Sequence, residues 1–179
     1  MATITEALAE VYASNPQDEV VLDTLELRHP AFIDSAGNAA PIRVVADHAD
    51  LIATLELDAP LNASQSVTFV AMAFQFALPS MEEGTAPQID IVLDGVTSEV
   101  VAHLESAVMQ TAQIECTHRR FLASNPAAGP QDGEPLTLYI SSATANLTQV
   151  TASATLTDIY NKAFPSRVYT PDDFPGLVR

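Results

Sequence analysis

Four histidines and one cysteine are the side chains of this sequence best suited to acid–base, nucleophilic or metal chemistry. His48 lies in Asp47-His48-Ala49-Asp50, where an imidazole between two carboxylates could indicate a metal ion. Metal sites draw on several His or Cys ligands at characteristic spacing, so a solvated turn is favoured and no metal ligand is assigned. We expect His29, which precedes Pro30, to make a structural hydrogen bond, and His103 to lie on the polar side of a helix.

Cys116 and His118 are two positions apart in a predicted strand, so their side chains share a face. A thiol beside an imidazole could act as a nucleophile, for example in a cell-wall hydrolase. The sequence offers no third group to orient the imidazole. Cys116 also alternates with Ile114, which favours the role of a small buried apolar residue. No catalytic residue is assigned.

The other motifs of catalysis and cofactor binding are absent from the sequence, including G-x-S-x-G, the P-loop and G-x-G-x-x-G. Carboxylate pairs such as Asp90 and Asp94 are expected by chance among 23 acidic residues. Arg119-Arg120 is the only basic pair, and it predicts a structural ion pair or an interface contact. We therefore expect a protein that is not an enzyme and has no cofactor.

Composition narrows the class of protein further. The chain has 179 residues, a net charge of −16, 47% hydrophobic residues and one Cys. The apolar fraction is too high for a disordered acidic chain, and a single Cys excludes an internal disulfide or a Cys-rich cluster. Duplex binding needs clustered Lys and Arg, whereas residues 1–110 hold 2 basic and 17 acidic groups.

Hydropathy argues against membrane insertion and secretion. The N-terminus has neither the basic start nor the apolar core of a signal peptide. The longest apolar-leaning stretch, Val67 to Leu78, is too short to span a bilayer. We expect synthesis in the cytosol.

The hydrophobic periodicity changes from helix to strand along the chain. Helices are predicted at Thr3–Ser14 and Thr97–Met109. Eight strands are predicted, at residues 20–27, 42–46, 51–58, 67–76, 89–94, 114–121, 136–140 and 147–156. Because regular helices do not separate the strands, βαβ units are disfavoured. The pattern favours a mainly β, α+β fold: an antiparallel sandwich or barrel with one or two flanking helices.

A single domain is expected over residues 1–179, with an N-terminal helix at 1–15. Loops are predicted at Pro30–Ala40, Leu78–Gln88 and Ser124–Pro135. Residues 163–179 contain three prolines, which predicts an extended tail that runs over the surface or onto another subunit.

Several segments together resemble a family of short bacteriophage and prophage proteins from tail gene clusters, a domain of unknown function. The resemblance covers nearly the whole chain, and its segments are structural rather than catalytic. They are Leu25-Glu26-Leu27-Arg28-His29-Pro30-Ala31-Phe32, Pro41-Ile42-Arg43-Val44-Val45, Asp47-His48-Ala49-Asp50-Leu51, Thr54-Leu55-Glu56, Ala59-Pro60, Val67-Thr68-Phe69, Phe74, Leu78-Pro79, Phe164-Pro165, Tyr169-Thr170 and Phe174-Pro175-Gly176-Leu177.

The resemblance implies a virion component at the tail tip of a long-tailed, non-contractile phage, similar to distal tail and minor tail proteins. Such proteins form rings that join the tail tube to the hub, which implies a tail-tube-like sandwich or barrel. The expected partners are other copies of the chain, as a hexamer or alternatively a trimer, the tube protein and the hub or tip proteins. The tape measure protein is a further candidate. The single Cys separates the chain from relatives that ligate an iron–sulfur cluster.

In this role the acidic residues would line the channel and repel DNA, so no sequence-specific nucleic-acid binding is expected. The protein would be made in the cytoplasm of the bacterial host and would end in the virion. The alternative is a receptor- or carbohydrate-binding β-sandwich at the tail tip. The absence of Trp and the presence of only four Tyr weigh against aromatic sugar platforms.

Overall fold

The computed structural model describes residues 5–14, 19–76, 88–96, 98–108, 110–133, 135–146 and 148–156. These residues form a mainly β domain with two flanking helices and a 3₁₀ turn at Pro126–Ala128, which confirms the predicted class. The elements are α1 (Glu6–Ser14), β1 (Val21–Arg28), β2 (Ile42–Val45), β3 (Leu51–Thr54), β4 (Ser66–Ala71), β5 (Phe74–Phe76), β6 (Gln88–Asp94), α2 (Ser98–Val108), β7 (Glu115–Leu122), β8 (Leu136–Ala145) and β9 (Gln149–Thr155).

Each predicted strand has an observed counterpart; five agree to within two residues at each end, and three differ more. The predicted strand 51–58 ends at Thr54, because the Leu55 N–H donates to the Gln65 carbonyl and the chain turns there. The predicted central strand 67–76 divides into β4 and β5. The last two strands form a long hairpin, in which β8 continues five residues beyond the prediction to Ala145. The predicted loop 78–88, apart from residue 88, and the tail 163–179 lie outside the described residues.

The nine strands form one mixed sheet in the order β3-β4-β2-β1-β7-β8-β9-β6-β5. The expectation of a purely antiparallel sheet is wrong at one place, since β2 and β4 are parallel. After β2 the chain leaves the neighbouring place in the sheet empty and forms β3 at the edge. The next strand, β4, then fills the place between β3 and β2. Because β4 is antiparallel to β3, it runs in the same direction as β2.

The two ends of this sheet meet at the short connection between β4 and β5. The Met72 N–H donates to the Val45 carbonyl of β2 over 3.0 Å, and the Asp94 N–H of β6 donates to the Ala73 carbonyl over 2.8 Å. These bonds hold one segment against both halves of the sheet. The strand ladder itself stays open, with β3 and β5 as its edges, but the sheet curls strongly.

The curled sheet encloses a large hydrophobic core on one side and a smaller one on the other. Leu25 and Leu27 of β1 point into the first core together with the apolar face of α2 and the inward side chains of β6 and β9. Leu22, on the opposite face of β1, points into the second core beneath the β3–β4 hairpin. The alternation of a strand explains this division.

The N-terminal helix is held by its first turn and by the segment after β7. The Leu8 N–H donates to the Thr5 hydroxyl over 3.4 Å, as in an N-cap. The Thr5 main chain and hydroxyl both bond to Gln131. Within the described ranges, neither helix is long and apolar enough to cross a membrane.

Candidate functional site

The histidines considered from the sequence have separate surroundings. The His29 Nδ1 accepts the Ala31 N–H over 3.0 Å, so Nε2 carries the proton and donates to the Ala112 carbonyl over 3.1 Å. The expected structural hydrogen bond of His29 is confirmed. His48 is exposed in a turn. His103, expected on the polar side of α2, is half-buried with its ring 5.3 Å from that of Phe32.

Cys116 and His118 lie on one face of β7, as their spacing predicts, but in chemically different environments. Cys116 is completely buried in the first core. Burial raises the pKa of its thiol to about 12, so the thiolate required for nucleophilic attack is not formed near neutral pH. The His118 ring stacks on Phe76 at 4.5 Å, and its Nε2 lies 2.9 Å from an Asp23 oxygen.

The face of β1 and β7 opposite the first core carries a buried network of charged side chains. Glu26 is fully buried and accepts hydrogen bonds from the three guanidinium groups of Arg28, Arg43 and Arg119. Arg119 is also fully buried and binds Glu56 in a bidentate manner, over 2.9 Å from Nε and 2.7 Å from Nη2.

Neighbouring residues complete the network at its margins. The second Arg28 nitrogen donates to Glu115 over 2.9 Å, and Arg43 donates to Asn62 over 2.8 Å. Among the described residues, no buried side-chain nitrogen or oxygen lacks a hydrogen-bond partner. A fully satisfied network of this kind fixes the register of packed elements. We therefore assign it a structural role.

The Arg119-Arg120 pair thus makes structural ion pairs, one of the two roles predicted for it. Arg120 Nε donates to Asp132, and the guanidinium lies over the Tyr12 ring of α1. No group of three His, Cys, Asp or Glu side chains within the described ranges is arranged to hold a metal ion.

A groove of about 1250 Å³ lies between α2 and the C-terminal half of β8. Its floor is apolar, because the half-buried Val101, Ile114 and Ile140 pack against the first core and also line the groove. Its outer wall is the β8 segment 141–145, whose residues are all exposed. Of the described residues that line the groove, only Glu105 is charged. We take this α2–β8 groove as the candidate site.

The strand pattern explains why β8 has a free edge here. β7 begins at Glu115, which pairs with Tyr139, and one further bond joins the Ile140 N–H to the Ile114 carbonyl. Beyond Ile140, β8 pairs with β9 on one side, and no described strand lies on the other.

The sequence pattern does not reveal this groove, for a definable reason. Residues 141–145 read Ser-Ser-Ala-Thr-Ala, which lacks the apolar alternation that marks a half-buried strand, and the predicted strand ended at Ile140. The observed pairing of these residues with β9 comes from the hairpin, not from their own pattern. The long, regular β9 pattern was the signal that its partner should be equally long.

The described residues form a mainly β domain with a groove between α2 and β8. The chain belongs to the family described as a domain of unknown function, DUF1833, which matches residues 7–169. A comparison with curated proteins finds no match.

Proposed function

We propose that this protein is a structural component of a phage tail tip, a ring-forming distal or minor tail protein that joins the tail tube to the hub. The resemblance of its sequence segments to tail-cluster proteins supports this role. We further propose that the curled sheet is a variant of the tail-tube-like β-sandwich or barrel, in which the connection between β4 and β5 brings the two halves of the sheet together.

The main observation in favour of this function is the disposition of charge. All four basic side chains of the described residues, Arg28, Arg43, Arg119 and Arg120, form ion pairs with carboxylates of the same chain. These arginines are therefore not free to neutralise phosphates. Many carboxylates, including those of Asp47, Asp58 and Glu105, have no such cationic partner in the described structure and are exposed.

An acidic surface whose described arginines are all paired suits a wall that DNA must pass without binding. Like charge repels the phosphate backbone, and the pairing of these four arginines weakens the counterion-release term that drives non-specific binding. We propose that acidic residues from positions 1–110 face the channel.

The alternative role of a carbohydrate-binding module has less support. Tyr12 is the one aromatic residue among the large exposed apolar side chains of the described part, and the Arg120 guanidinium lies 5.8 Å from the centre of its ring. Sugar platforms use open aromatic faces.

The test is made on phage particles whose tail cluster encodes this protein. We expect mass spectrometry of purified virions to detect the chain in several copies, and a null mutant to produce unjoined tubes and no infectious particles. Intact, infectious particles that lack the protein would reject the proposal. In the assembled tip, a neutral or basic channel wall would reject the repulsive-lumen part alone.

A further inference from the structure

The free edge of β8 exposes main-chain hydrogen-bonding groups to the groove. At the hairpin end the Asn146 N–H donates to the Gln149 carbonyl. In an antiparallel ladder the bonded residues alternate, so Thr144 and Ser142 direct their main-chain groups toward β9. The N–H and C=O groups of Ala143 and Ala145 consequently face away from β9, toward the groove.

Of the devices by which proteins protect an exposed strand, this edge has a register shift of the bulge type between Ile140 and Ser142, but no charged side chain and no proline in residues 142–145. Charged side chains and Pro usually prevent unwanted pairing, whereas residues 142–145 are small and uncharged. A second strand can therefore approach closely and pair with β8, a recognised mode of peptide binding.

The groove also restricts the side chains of the incoming strand. Apolar side chains at alternate positions would cover Val101, Ile114 and Ile140, and a basic side chain would face Glu105. Residues 141–145 of β8 have no large apolar side chain. If two β8 edges paired with each other, the apolar floor of the groove would therefore stay exposed to solvent. The bound strand must come from another part of a polypeptide.

Within this sequence, residues 157–179 contain both apolar and basic side chains, together with Asp158, Asp172 and Asp173, which bring the net charge of the segment to zero. The four arginines of the described residues are already paired, and the three remaining basic residues, Lys162, Arg167 and Arg179, all lie in this segment. It also contains two Phe and two Tyr. Its 23 residues follow β9 directly and could reach about 75 Å if extended, which is enough to contact a neighbour.

We propose that the α2–β8 groove binds residues 157–179 of a second copy of this chain as an added strand beside β8. This inference rests on the proposed ring function and identifies the contact that joins one subunit to the next. A contact in which one patch binds a different patch of the next copy is heterologous, which is the type that closes a ring.

The test compares two full-length variants with the same charge change on opposite faces of β8. Ala143→Glu places a carboxylate in the groove near Glu105, whereas Thr144→Glu places it on the face that does not line the groove. Both positions are exposed, so both variants should fold, and urea midpoints close to wild type would verify this. We expect light scattering to show an oligomer for wild type and Thr144→Glu. For Ala143→Glu we expect monomer, with the dissociation constant raised at least ~100-fold by like-charge burial.

A second arm identifies the bound segment. An excess of a synthetic peptide with the sequence of residues 157–179 should reduce the mass of the wild-type oligomer, and a scrambled peptide should not. A wild-type chain that stays monomeric at ~100 µM, or an Ala143→Glu variant that assembles like wild type, would overturn the inference. If Ala143→Glu dissociates but the peptide does not compete, the assignment of residues 157–179 is overturned. Detection of the chain in virions separates each of these failures from failure of the proposed function.

Discussion

Arg119 and Glu26 form an ion pair in which both side chains are completely buried, with Arg119 Nη1 donating to Glu26 Oε2 over 3.1 Å. The two residues lie on neighbouring strands, β1 and β7, and Glu56 from the turn after β3 binds the same guanidinium. The pair therefore connects the central strands to the hairpin that covers them. It helps to hold the β3–β4 hairpin in one position over β1 and β7.

Replacement of Arg119 by Met should be strongly destabilising. It leaves Glu56 without its cationic partner and removes one of three donors from Glu26, and breaking a buried pair from one side costs about 3–5 kcal/mol. Urea unfolding measures the change. The matched control is Glu115→Gln, which breaks the Arg28–Glu115 pair where the Glu115 side chain is 42% exposed; here we expect about 1 kcal/mol or less. Equal effects of the two substitutions would contradict a special role for the buried pair.

The buried thiol of Cys116 should make stability fall at high pH. Its pKa is raised by burial from the ordinary value of 9.0 to about 12. Between these values the unfolded chain loses the proton and the folded chain keeps it, so the free energy of unfolding should fall by about 1.4 kcal/mol per pH unit. Below pH 9 both states are protonated and this contribution is constant.

The measurement is urea unfolding between pH 8 and 11 for wild type and Cys116→Ala. Tyr and Lys side chains also titrate in this range, so the difference between the two pH slopes, and not either slope, reports the thiol. We expect a shallower slope for Cys116→Ala. Parallel slopes would mean that the thiol ionises equally in both states.

The helices and most strands could be predicted because their periodicity is local. α2 has apolar residues at helical spacing, and they lie in the first core as expected. The parallel β2–β4 contact could not be predicted in this way, because it depends on where β3 is inserted in the sheet. The division of residues 67–76 into β4 and β5 could not be predicted either. Met72 and Ala73, which connect the two strands, are apolar like the residues on both sides of them, so the sequence shows no break.

The candidate site was predicted even less well than the fold. Titratable residues draw attention in a sequence, yet His29, Cys116 and Arg119 are occupied by structural contacts. The outer wall of the groove is the Ser-Ser-Ala-Thr-Ala segment of β8, whose free main-chain edge has no sequence signature. The edge is free because β7 begins only at Glu115 while its partner β8 continues to Ala145, and such a difference in strand extent appears only in the assembled sheet.

Two turn positions with positive φ should both favour glycine: adding a side chain at position 95 should destabilise the protein, and removing the side chain at position 64 should not. Gly95 has φ +74°, and an added Cβ would meet no atom within 4 Å; Gly95→Ala should therefore cost about 1 kcal/mol through backbone strain alone. Ser64 has φ +55° without being Gly, so Ser64→Gly should be neutral or stabilise by up to about 1 kcal/mol. Thermal and urea unfolding of both variants provide the check. Destabilisation by Ser64→Gly as large as that by Gly95→Ala would show that the positive φ at position 64 carries little strain.

The attachment of α1 to the sheet should depend on Arg120. This residue donates to Asp132 and, over 2.9 Å, to the Tyr12 hydroxyl of α1. Arg120→Gln should increase hydrogen exchange of the α1 amides about 10-fold, because loss of charge-assisted hydrogen bonds lowers the free energy of local opening by about 1.4 kcal/mol. Tyr12→Phe is the matched control, since it removes the hydroxyl acceptor but keeps the ring beneath the guanidinium, and a change of about 3-fold or less is expected. Exchange measured by mass spectrometry on peptides that cover Glu6–Ser14 separates the two cases. If Arg120→Gln changes exchange throughout β1 and β7 but not in α1, Arg120 stabilises the sheet and does not anchor the helix.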